Sequence, residues 1–397
     1  MFRNFTYEGP ALLTDSSAQI RGRFVLENTS TTVANTLRRC ILTETRSVGF
    51  RADLTNDADP GVRIRKNTGA IFNEMLAHRL TLIPLAVRKI ADFDPTRYEC
   101  TLHATNNTNE MMHVSADMFQ VAEKDDGGIF QPAGPMASAA LFPKDPITGN
   151  TALITSLRPQ WNPDLPPDEI DLTAYPVIGC GRDFMGFCPV AQASFENTLD
   201  TDPVRQESFF HEWLASFKKV SEPAALDQTL LEKYRAEWKT MAIQRCFIVN
   251  ERGEPSSFSF VVESVGVRPV QDIVAEAIQS VIDLVRPYTA EDAPLTMRPL
   301  DSRMTGVQVV FDGQEHTLGC LLEAMLHELY LTTEAPDAPI TYAAYKVPHP
   351  LHRTMTINLG TKEGANVRKI INAAAEKAQS IFEELGRAWA AFIAAPP

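Results

Sequence analysis

The sequence has no surplus of basic residues. Lys and Arg number 37 against 50 Asp and Glu, which gives a net charge of −13. A protein whose main activity is gripping nucleic-acid phosphates normally carries a basic face. For one basic run, Arg63, Arg65 and Lys66, a local phosphate contact and a solvated strand face both stay open. The charge balance disfavours an independent nucleic-acid-binding module, and we expect protein partners and no direct sequence-specific contact with nucleic acid.

Long apolar runs and a leader pattern are also missing. No stretch approaches the roughly 18 apolar residues that a membrane-spanning helix needs. The first eight residues, Met1–Glu8, do not show the basic-then-apolar order of a signal peptide. We therefore expect an intracellular protein with no membrane partner. Its 397 residues and 44% hydrophobic content suggest two or three globular domains.

Cysteine is sparse and is not arranged at metal-ligand spacing. The six cysteines are spread over the whole chain: Cys40, Cys100, Cys180, Cys188, Cys246 and Cys320. No Cys-x-x-Cys pair is present, so neither a zinc knuckle nor a redox motif is indicated. Cys180 and Cys188 are close in sequence, and a metal or a disulfide there stays open as an alternative. We expect no metal site and no cofactor.

Motifs that carry catalytic chemistry are absent from the sequence. Asp92 and Asp94 lie in an Ala-Asp-Phe-Asp stretch, but no third carboxylate follows to complete a paired-magnesium set. The Gly-Cys-Gly segment 179–181 lacks the third glycine of a dinucleotide loop, and there is no phosphate loop or nucleophile elbow. His78 and His349 are lone histidines, for which structural hydrogen bonding is the alternative to a general-base role. The sequence therefore predicts a protein that is not an enzyme.

Regular patterns begin near the N-terminus. Residues 20–26 have the apolar spacing of a strand, and 28–31 offer several helix N-caps. A helix should follow, with one apolar face made of Val33, Leu37, Cys40 and Ile41. A second, short helix is predicted over 73–80.

The pattern changes from 86 to 245. Short strands at 98–104 and 170–178 alternate with loops rich in proline and glycine, and residues 205–240 look mostly helical. We interpret this stretch as a β-rich insert domain.

Strong periodicity returns at residue 245. A strand at 245–250 is predicted to form a hairpin with 258–262, and an amphipathic helix follows over 273–285. Residues 287–304 contain three prolines and mixed charge, which is typical of a linker.

The last hundred residues read as a separate unit. A strand at 307–311 precedes a helix with an apolar face made of Leu318, Leu321, Leu322, Met325, Leu326 and Leu329. A strand at 354–359 leads to the longest helix, whose apolar stripe runs from Val367 to Phe392 over roughly 40 Å. Such a stripe predicts burial against another helix or subunit, with a surface helix on its own domain as the alternative.

Both ends of the chain thus share one plan of strand, amphipathic helix, further strands and closing helix. We predict an α+β fold in which two such units form an intramolecular pseudo-heterodimer. The first unit takes residues 1–85 and 246–286, the insert domain 86–245, the linker 287–304 and the second unit 305–397.

The ordered strings of the first half carry a family resemblance. Asn35-Thr-Leu-Arg-Arg-Cys-Ile-Leu-Thr-Glu44 resembles the Asn-x-Leu-Arg-Arg helix of the α-like platform subunits of RNA polymerase. That family includes the bacterial α subunit, the archaeal D subunit and the third subunit of eukaryotic polymerase II. Residues 67–68 and 73–85 look like the segment that follows in D-type subunits, and 142–149 and 253–266 extend the match.

The second half resembles the smaller partner, the archaeal L subunit or the eleventh eukaryotic subunit. Residues 315–322 are similar to its helix-opening motif, and 342–351 to its Gly-Tyr-x-x-Pro-His-Pro-Leu loop, with Ala344 where glycine is usual. The chain would then be a fusion of both platform subunits. A single-chain fusion looks like the arrangement in nucleocytoplasmic large DNA viruses.

The resemblance implies a non-catalytic platform that nucleates assembly of the largest and second-largest polymerase subunits and contacts small subunits. A viral copy would act in the host cytoplasm at the viral factory, in the virion or in the nucleus. The clustered cysteines that hold zinc or an iron–sulfur cluster in some D subunits are missing here, which puts any metal role in doubt. A free-standing scaffold or virion protein with the same fold is the rival hypothesis.

Matching positions identify candidate interface residues. The residues carried over for subunit contacts are Arg38, Arg39, Asn73, Glu74, His78 and Arg79. For each arginine, a surface charge that contributes little is the alternative. The predicted intramolecular dimer interface consists of Val33, Leu37, Ile41, Leu318, Leu322, Met325, Ile371 and Phe382.

Overall fold

The fold is mixed α/β with antiparallel sheets, which confirms the predicted combination of elements. The computed structural model describes residues 1–12, 19–54, 61–125, 127–220, 227–300, 305–332 and 338–394. Within these ranges, no helix is both long and apolar enough to cross a membrane.

Seventeen strands and eight α-helices are interspersed along the described residues. The strands are β1 (Phe2–Ala11), β2 (Gln19–Glu27), β3 (Arg46–Phe50), β4 (Val62–Asn67), β5 (Tyr98–Asn106), β6 (Met112–Ser115), β7 (Gln120–Lys124), β8 (Phe130–Pro132), β9 (Leu153–Leu157), β10 (Asp168–Ala174), β11 (Pro176–Cys180), β12 (Val190–Asn197), β13 (Ser257–Ser264), β14 (Thr296–Pro299), β15 (Gly306–Asp312), β16 (Ile340–Lys346) and β17 (Thr354–Thr361). The α-helices are α1 (Thr31–Thr43), α2 (Asn73–Thr81), α3 (Pro135–Leu141), α4 (Pro203–Trp213), α5 (Gln228–Met241), α6 (Val270–Val285), α7 (His316–Leu326) and α8 (Val367–Ala394).

The first unit is a four-stranded sheet with two helices on it. The strand order is β1-β2-β13-β12, and α1 and α6 supply the buried helical faces. Helix α1 begins after Ser30, whose Oγ accepts a hydrogen bond from Val33 N at 3.3 Å, a standard N-cap. Its apolar stripe is buried as the periodicity predicts, with Leu37 and Ile41 fully inaccessible.

The second unit repeats this architecture. Its sheet has the order β14-β15-β17-β16, and α7 and α8 take the places of α1 and α6. The buried residues of α1 recur in the same spacing in α7, for example Val33 as Leu318 and Leu37 as Leu322. Since strand order and helical burial both repeat, the two units have one topology.

The four helices of the two units share one hydrophobic core. Helix α6 packs against α8, and α1 packs against both α6 and α7. The core runs without a break from Phe24 of the first sheet to Ile357 of the second. The long stripe of α8 is therefore buried against the other unit as well as against α7 of its own unit, which supports the first of the two alternatives for this helix.

A second core lies between α1 and β12 in sequence. It is built on a sheet of order β4-β10-β5-β7-β8 and on the strand pairs β3–β11 and β6–β9. The structure differs here from the predicted boundaries at 86 and 245. Phe50 and Leu80, which precede residue 86, are buried in this second core, whereas β12 joins the sheet of the first unit. The predicted strand 170–178 is two strands, because the ladder of β10 stops at Ala174 and β11 pairs with β3.

Residues 203–220 and 227–246 form a small helical unit with its own core. Helices α4 and α5 pack through Phe210, Trp213 and Trp238, which agrees with the helical reading of 205–240. The predicted strand 245–250 and its hairpin with 258–262 are wrong. Phe247 and Val249 make isolated bridges only, because both edges of β13 are already paired with β2 and β12.

The predicted linker 287–304 is partly regular. Residues 296–299 form β14 at the edge of the second sheet, where Met297 pairs with Val309. Residues 301–304 lie outside the described residues.

Candidate subunit interface

The junction between the two units contains all the predicted intramolecular interface residues. Each is at most 2% exposed and belongs to the shared core: Val33, Leu37, Ile41, Leu318, Leu322, Met325, Ile371 and Phe382. Burial of apolar surface stabilises by roughly 25 cal/mol for each Å², so these side chains stabilise the junction.

Hydrogen bonds fix the register of this junction. Arg39 Nε donates to Thr317 Oγ1 at 2.9 Å and so ties α1 to α7. Asn372 Nδ2 donates to the carbonyl oxygen of Ala290 at 2.9 Å, and Arg368 Nη1 to that of Ala293 at 2.7 Å. The two latter bonds hold the segment after α6 against α8. Because these bonds are directional, they favour one alignment of the four helices over others.

An aromatic cluster closes one end of the junction. The Trp389 ring is T-shaped against Phe2 and Phe24, with centroid distances of 4.9 and 5.0 Å. Phe5 and Phe392 lie at 5.8 and 5.9 Å from the same ring. We call these five residues the Trp389 box. Trp389 and Phe392 lie on the predicted stripe of α8, but the periodicity does not predict the ring partners Phe2, Phe5 and Phe24, which come from the N-terminal strands.

Helix α7 contains a glycine, Gly319, at the point where strand β16 of the same unit packs closely against the helix. A Cβ at Gly319 would lie 2.5 Å from the Tyr345 ring of β16, well inside van der Waals contact. Gly319 belongs to the helix-opening string 315–322. The close approach of Tyr345 gives a physical reason for a residue that weakens helices by about 1 kcal/mol.

The residues predicted to contact other subunits lie on α1 and α2. On α1, the Arg38 Nε donates to Asn35 Oδ1 at 2.9 Å, and burial together with the nearby Arg39 lowers the pKa of its guanidinium. The Arg39 Nε already donates a hydrogen bond to Thr317 inside the molecule, so this atom is not available to another protein in this state. Of this pair, Arg39 supports the intramolecular junction, whereas Arg38 bonds within α1 itself.

The α2 residues sit on a more accessible surface. Glu74 and His78 line an open cavity of about 430 Å³ together with Arg51 and Asp183. Asn73 Oδ1 accepts from Asn67 Nδ2, and Arg79 Nη2 donates to the Leu153 carbonyl oxygen at 2.8 Å, so these two side chains brace α2.

Exposed apolar side chains surround this part of α2. Phe72, Met75 and Leu82 are 63%, 45% and 54% exposed, and Met185 is 62% exposed. Met185 lies near the end of α2. Its neighbour Gly186 packs so closely there that a Cβ on it would lie 2.7 Å from the carbonyl oxygen of Thr81. Contiguous exposed apolar surface commonly marks a protein interface. Met75 and Leu82 are apolar but do not belong to the buried face of α2. Apolar residues off the buried face are the sequence signal that could have identified this exposed surface.

A buried charge cluster joins α6 to the start of β3. Glu276 accepts from Arg268 Nη1 at 2.5 Å and from Arg46 Nε at 2.9 Å. The Arg268 side chain is only 7% exposed and that of Glu276 is 16% exposed. Burial would raise the pKa of Glu276, but the charges and hydrogen bonds of the two arginines outweigh it and hold the pKa below its ordinary value. No sequence motif signals this cluster, since its members are brought together only by the fold.

A metal site and a reactive thiol each set requirements for the remaining titratable groups. Within the described ranges, no group of three or more His, Cys, Asp or Glu residues has metal-binding geometry. Burial raises the pKa of Cys180 and of Cys188, which disfavours the thiolate at either position. His349 accepts from the backbone of Leu351 at 3.1 Å, a structural role for that imidazole.

Acidic side chains neutralise part of the positive charge of the basic run Arg63, Arg65 and Lys66. Arg65 forms an ion pair with Asp171, and Lys66 forms one with Glu169. These contacts favour the solvated strand face over a phosphate site.

Comparison with known protein families agrees with this architecture. The model for the RNA polymerase Rpb3/Rpb11 dimerisation domain matches residues 23–285, and a second model of the same description matches residues 307–388. The first match covers more than half of the chain. The chain belongs to the RNA polymerase Rpb3/Rpb11 dimerisation family.

Individual curated proteins resemble different parts of the chain. A conjugation stage-specific protein of Tetrahymena thermophila is 30% identical over 138 residues, which are 32% of this chain and 42% of that protein. The RPAC1 subunit of DNA-directed RNA polymerases I and III of Bos taurus is 29% identical over 287 residues, or 62% of this chain and 74% of the relative. Subunit Rpo11 of the DNA-directed RNA polymerase of Korarchaeum cryptofilum is 29% identical over 90 residues, or 23% of this chain and 84% of the relative.

The two family matches coincide with the two units seen in the fold. The match at 23–285 begins in β2 and ends at the last residue of α6, and the match at 307–388 spans β15 through most of α8. The Rpb3/Rpb11 family thus appears twice, once on each side of the four-helix junction.

Proposed function

We propose that this chain is a non-catalytic platform subunit of a multisubunit DNA-dependent RNA polymerase, in which two platform subunits are fused as a pseudo-heterodimer. The observation that carries the proposal is the shared core, in which each Rpb3/Rpb11-type unit buries its helices against the other. An unpaired unit would expose those apolar faces to water. The named relatives RPAC1 and Rpo11 are polymerase subunits, which supports the same role for this chain.

The proposed partners are the largest and second-largest polymerase subunits and small polymerase subunits. The exposed apolar surface beside Glu74 and His78 is the best candidate for contact with one of them, because it combines apolar area with charged groups at its rim. In this role the chain nucleates assembly and performs no chemistry itself.

We further propose, on the ground of the proposed fusion, a viral origin with action in the host cytoplasm, the virion or the nucleus. Mass spectrometry of purified virions and of nuclear and cytoplasmic fractions would locate the chain. Recovery from uninfected cells alone would contradict the viral assignment.

The assembly role can be tested by a pull-down through the second-largest subunit. Leu322→Asp places a carboxylate in the core of the junction, which costs several kcal/mol, so recovery of the largest subunit should fall sharply. Leu351→Asp is the matched control, because Leu351 is 85% exposed in the same unit. It should assemble like the unchanged chain.

Two outcomes would contradict the platform role. One is normal assembly of Leu322→Asp with both large subunits. The other is purification of the unchanged chain from its native source without either large subunit, which is what a free-standing scaffold or virion protein would show.

A further inference from the structure

The Trp389 box breaks the symmetry between the two units. Trp389 lies on a stretch of α8 that has no counterpart in α6, because α6 ends at Val285 while α8 extends to Ala394. The Trp389 side chain is 2% exposed, and its Nε1 donates to the carbonyl oxygen of Gln271 on α6 at 3.0 Å. The second unit thus supplies an indole whose ring contacts with Phe2, Phe5 and Phe24 and whose hydrogen bond to Gln271 are all made to the first unit.

The matching place on the second sheet is built differently. Val309 of β15 occupies the central position that Phe24 has in β2, so no aromatic ring stands there. A ring that reaches this sheet from the segment directly after α6 is Tyr288, at 5.1 Å from Phe311. The two ends of the junction are therefore closed by different side chains in different positions.

This asymmetry has a consequence for which units can pair. Two copies of the first unit would leave the rings of Phe2 and Phe24 without an indole to cover them. Two copies of the second unit would bring Trp389 against a sheet with Val309 at the centre, where the edge-to-face ring contacts are lost. Only a mixed pair satisfies both surfaces.

We propose that the Trp389 box determines the pairing specificity of the two units, so that a first unit pairs with a second unit and not with its own kind. The proposal rests on the two-unit reading of the proposed function. Trp389 acts here as a specificity-determining residue, because it contributes to the mixed pair and to neither like pair.

The test uses the full chain, folded and then cut in place. A protease site inserted between Glu291 and Asp292, which are both exposed, separates the units after folding. Association of the two differently labelled pieces is then measured on dilution, by fluorescence transfer and native mass spectrometry. The unchanged sequence should give the mixed pair and no like pairs. Trp389→Ala should weaken the mixed pair by about 100-fold or more, as expected for truncating a buried Trp, and leave the like pairs unchanged.

Two further variants separate specificity from loss of folding. Trp389→Phe keeps a ring in the box and should retain most of the mixed affinity. Ile357→Ala removes a fully buried side chain from the second sheet without touching the box, and it should weaken the mixed pair much less than Trp389→Ala. The proposal is wrong if Trp389→Ala changes the mixed affinity by less than twofold, or if Ile357→Ala matches its effect. No polymerase subunit is present in this assay. A negative result here therefore contradicts only the pairing role of Trp389, and a negative pull-down contradicts only the assembly role.

Discussion

Removing the charge of Glu276 should destabilise the protein far more than removing an exposed carboxylate. Glu276→Gln keeps the shape and one acceptor oxygen but leaves the nearly inaccessible Arg268 without its counter-charge. Breaking a buried pair by removing one partner costs about 3–5 kcal/mol. We expect the free energy of unfolding to fall by about 3 kcal/mol, the lower end of that range, because the amide oxygen can still accept from one arginine. The free energy of unfolding in urea at pH 7 measures this.

The matched control is Asp171→Asn. Its partner Arg65 is 53% exposed at the side chain, and an exposed pair contributes about 0.2–1 kcal/mol. Hydrogen exchange should place the effect of Glu276→Gln in α6 and in the start of β3, since the cluster joins those two elements. Equal effects of the two substitutions would refute the assignment of a buried, structural charge cluster.

The pH dependence gives an independent check. The folded-state pKa of Glu276 lies below its ordinary value of 4.5, so the charged form stabilises the fold above that value. This contribution disappears as the pH falls through the folded-state pKa, because the carboxyl is then protonated in both states. The difference between the unchanged chain and Glu276→Gln should therefore shrink below about pH 4.5. A difference that stays constant down to pH 3 would show that charge is not its cause.

Two further outcomes can be measured on the purified chain. Gly319→Ala should lower the unfolding free energy by about 1–3 kcal/mol through the clash with Tyr345, whereas Gly386→Ala should raise it by up to about 1 kcal/mol, because its Cβ would meet only Ile278 at 3.5 Å. Thermal unfolding of both variants decides this, and a change of the same sign in both would contradict the packing argument. Elemental analysis should find no stoichiometric zinc or iron, since no usable four-ligand set is present in the sequence. About one metal per chain that is lost in Cys180→Ser would overturn that expectation.

The helices at the junction could be predicted from the sequence because their information is local. Val33, Leu37 and Ile41 repeat at helical spacing, and each is buried on one face. The same holds for α6 and α8, where the period of the apolar residues alone indicates the buried face. The candidate interface residues inside the junction follow directly from these stripes.

The strand pairings could not be read in the same way. The segment 245–250 has the composition of a strand, but a strand needs a free edge, and β13 has none left after pairing with β2 and β12. Edge strands β1 and β14 carry weak alternation and gain their order from neighbours distant in sequence. The Glu276 cluster and the Trp389 box were unpredictable for the same reason, because each combines residues from remote parts of the chain.

The position of the long segment between α1 and β13 also has a kinetic consequence. In the first unit the central strands are joined across 242 residues by Arg21 and Glu263, whereas in the second unit Gln308 and Asn358 join the equivalent strands across 50. Folding slows as contacting residues lie farther apart along the chain. We therefore expect β1, β2 and α1 to leave the ribosome first and to wait, with their apolar faces uncovered, until β13 and α6 have been synthesised. During that interval the nascent chain depends on chaperones or on the middle region folding early, and the C-terminal unit then closes quickly over a completed partner.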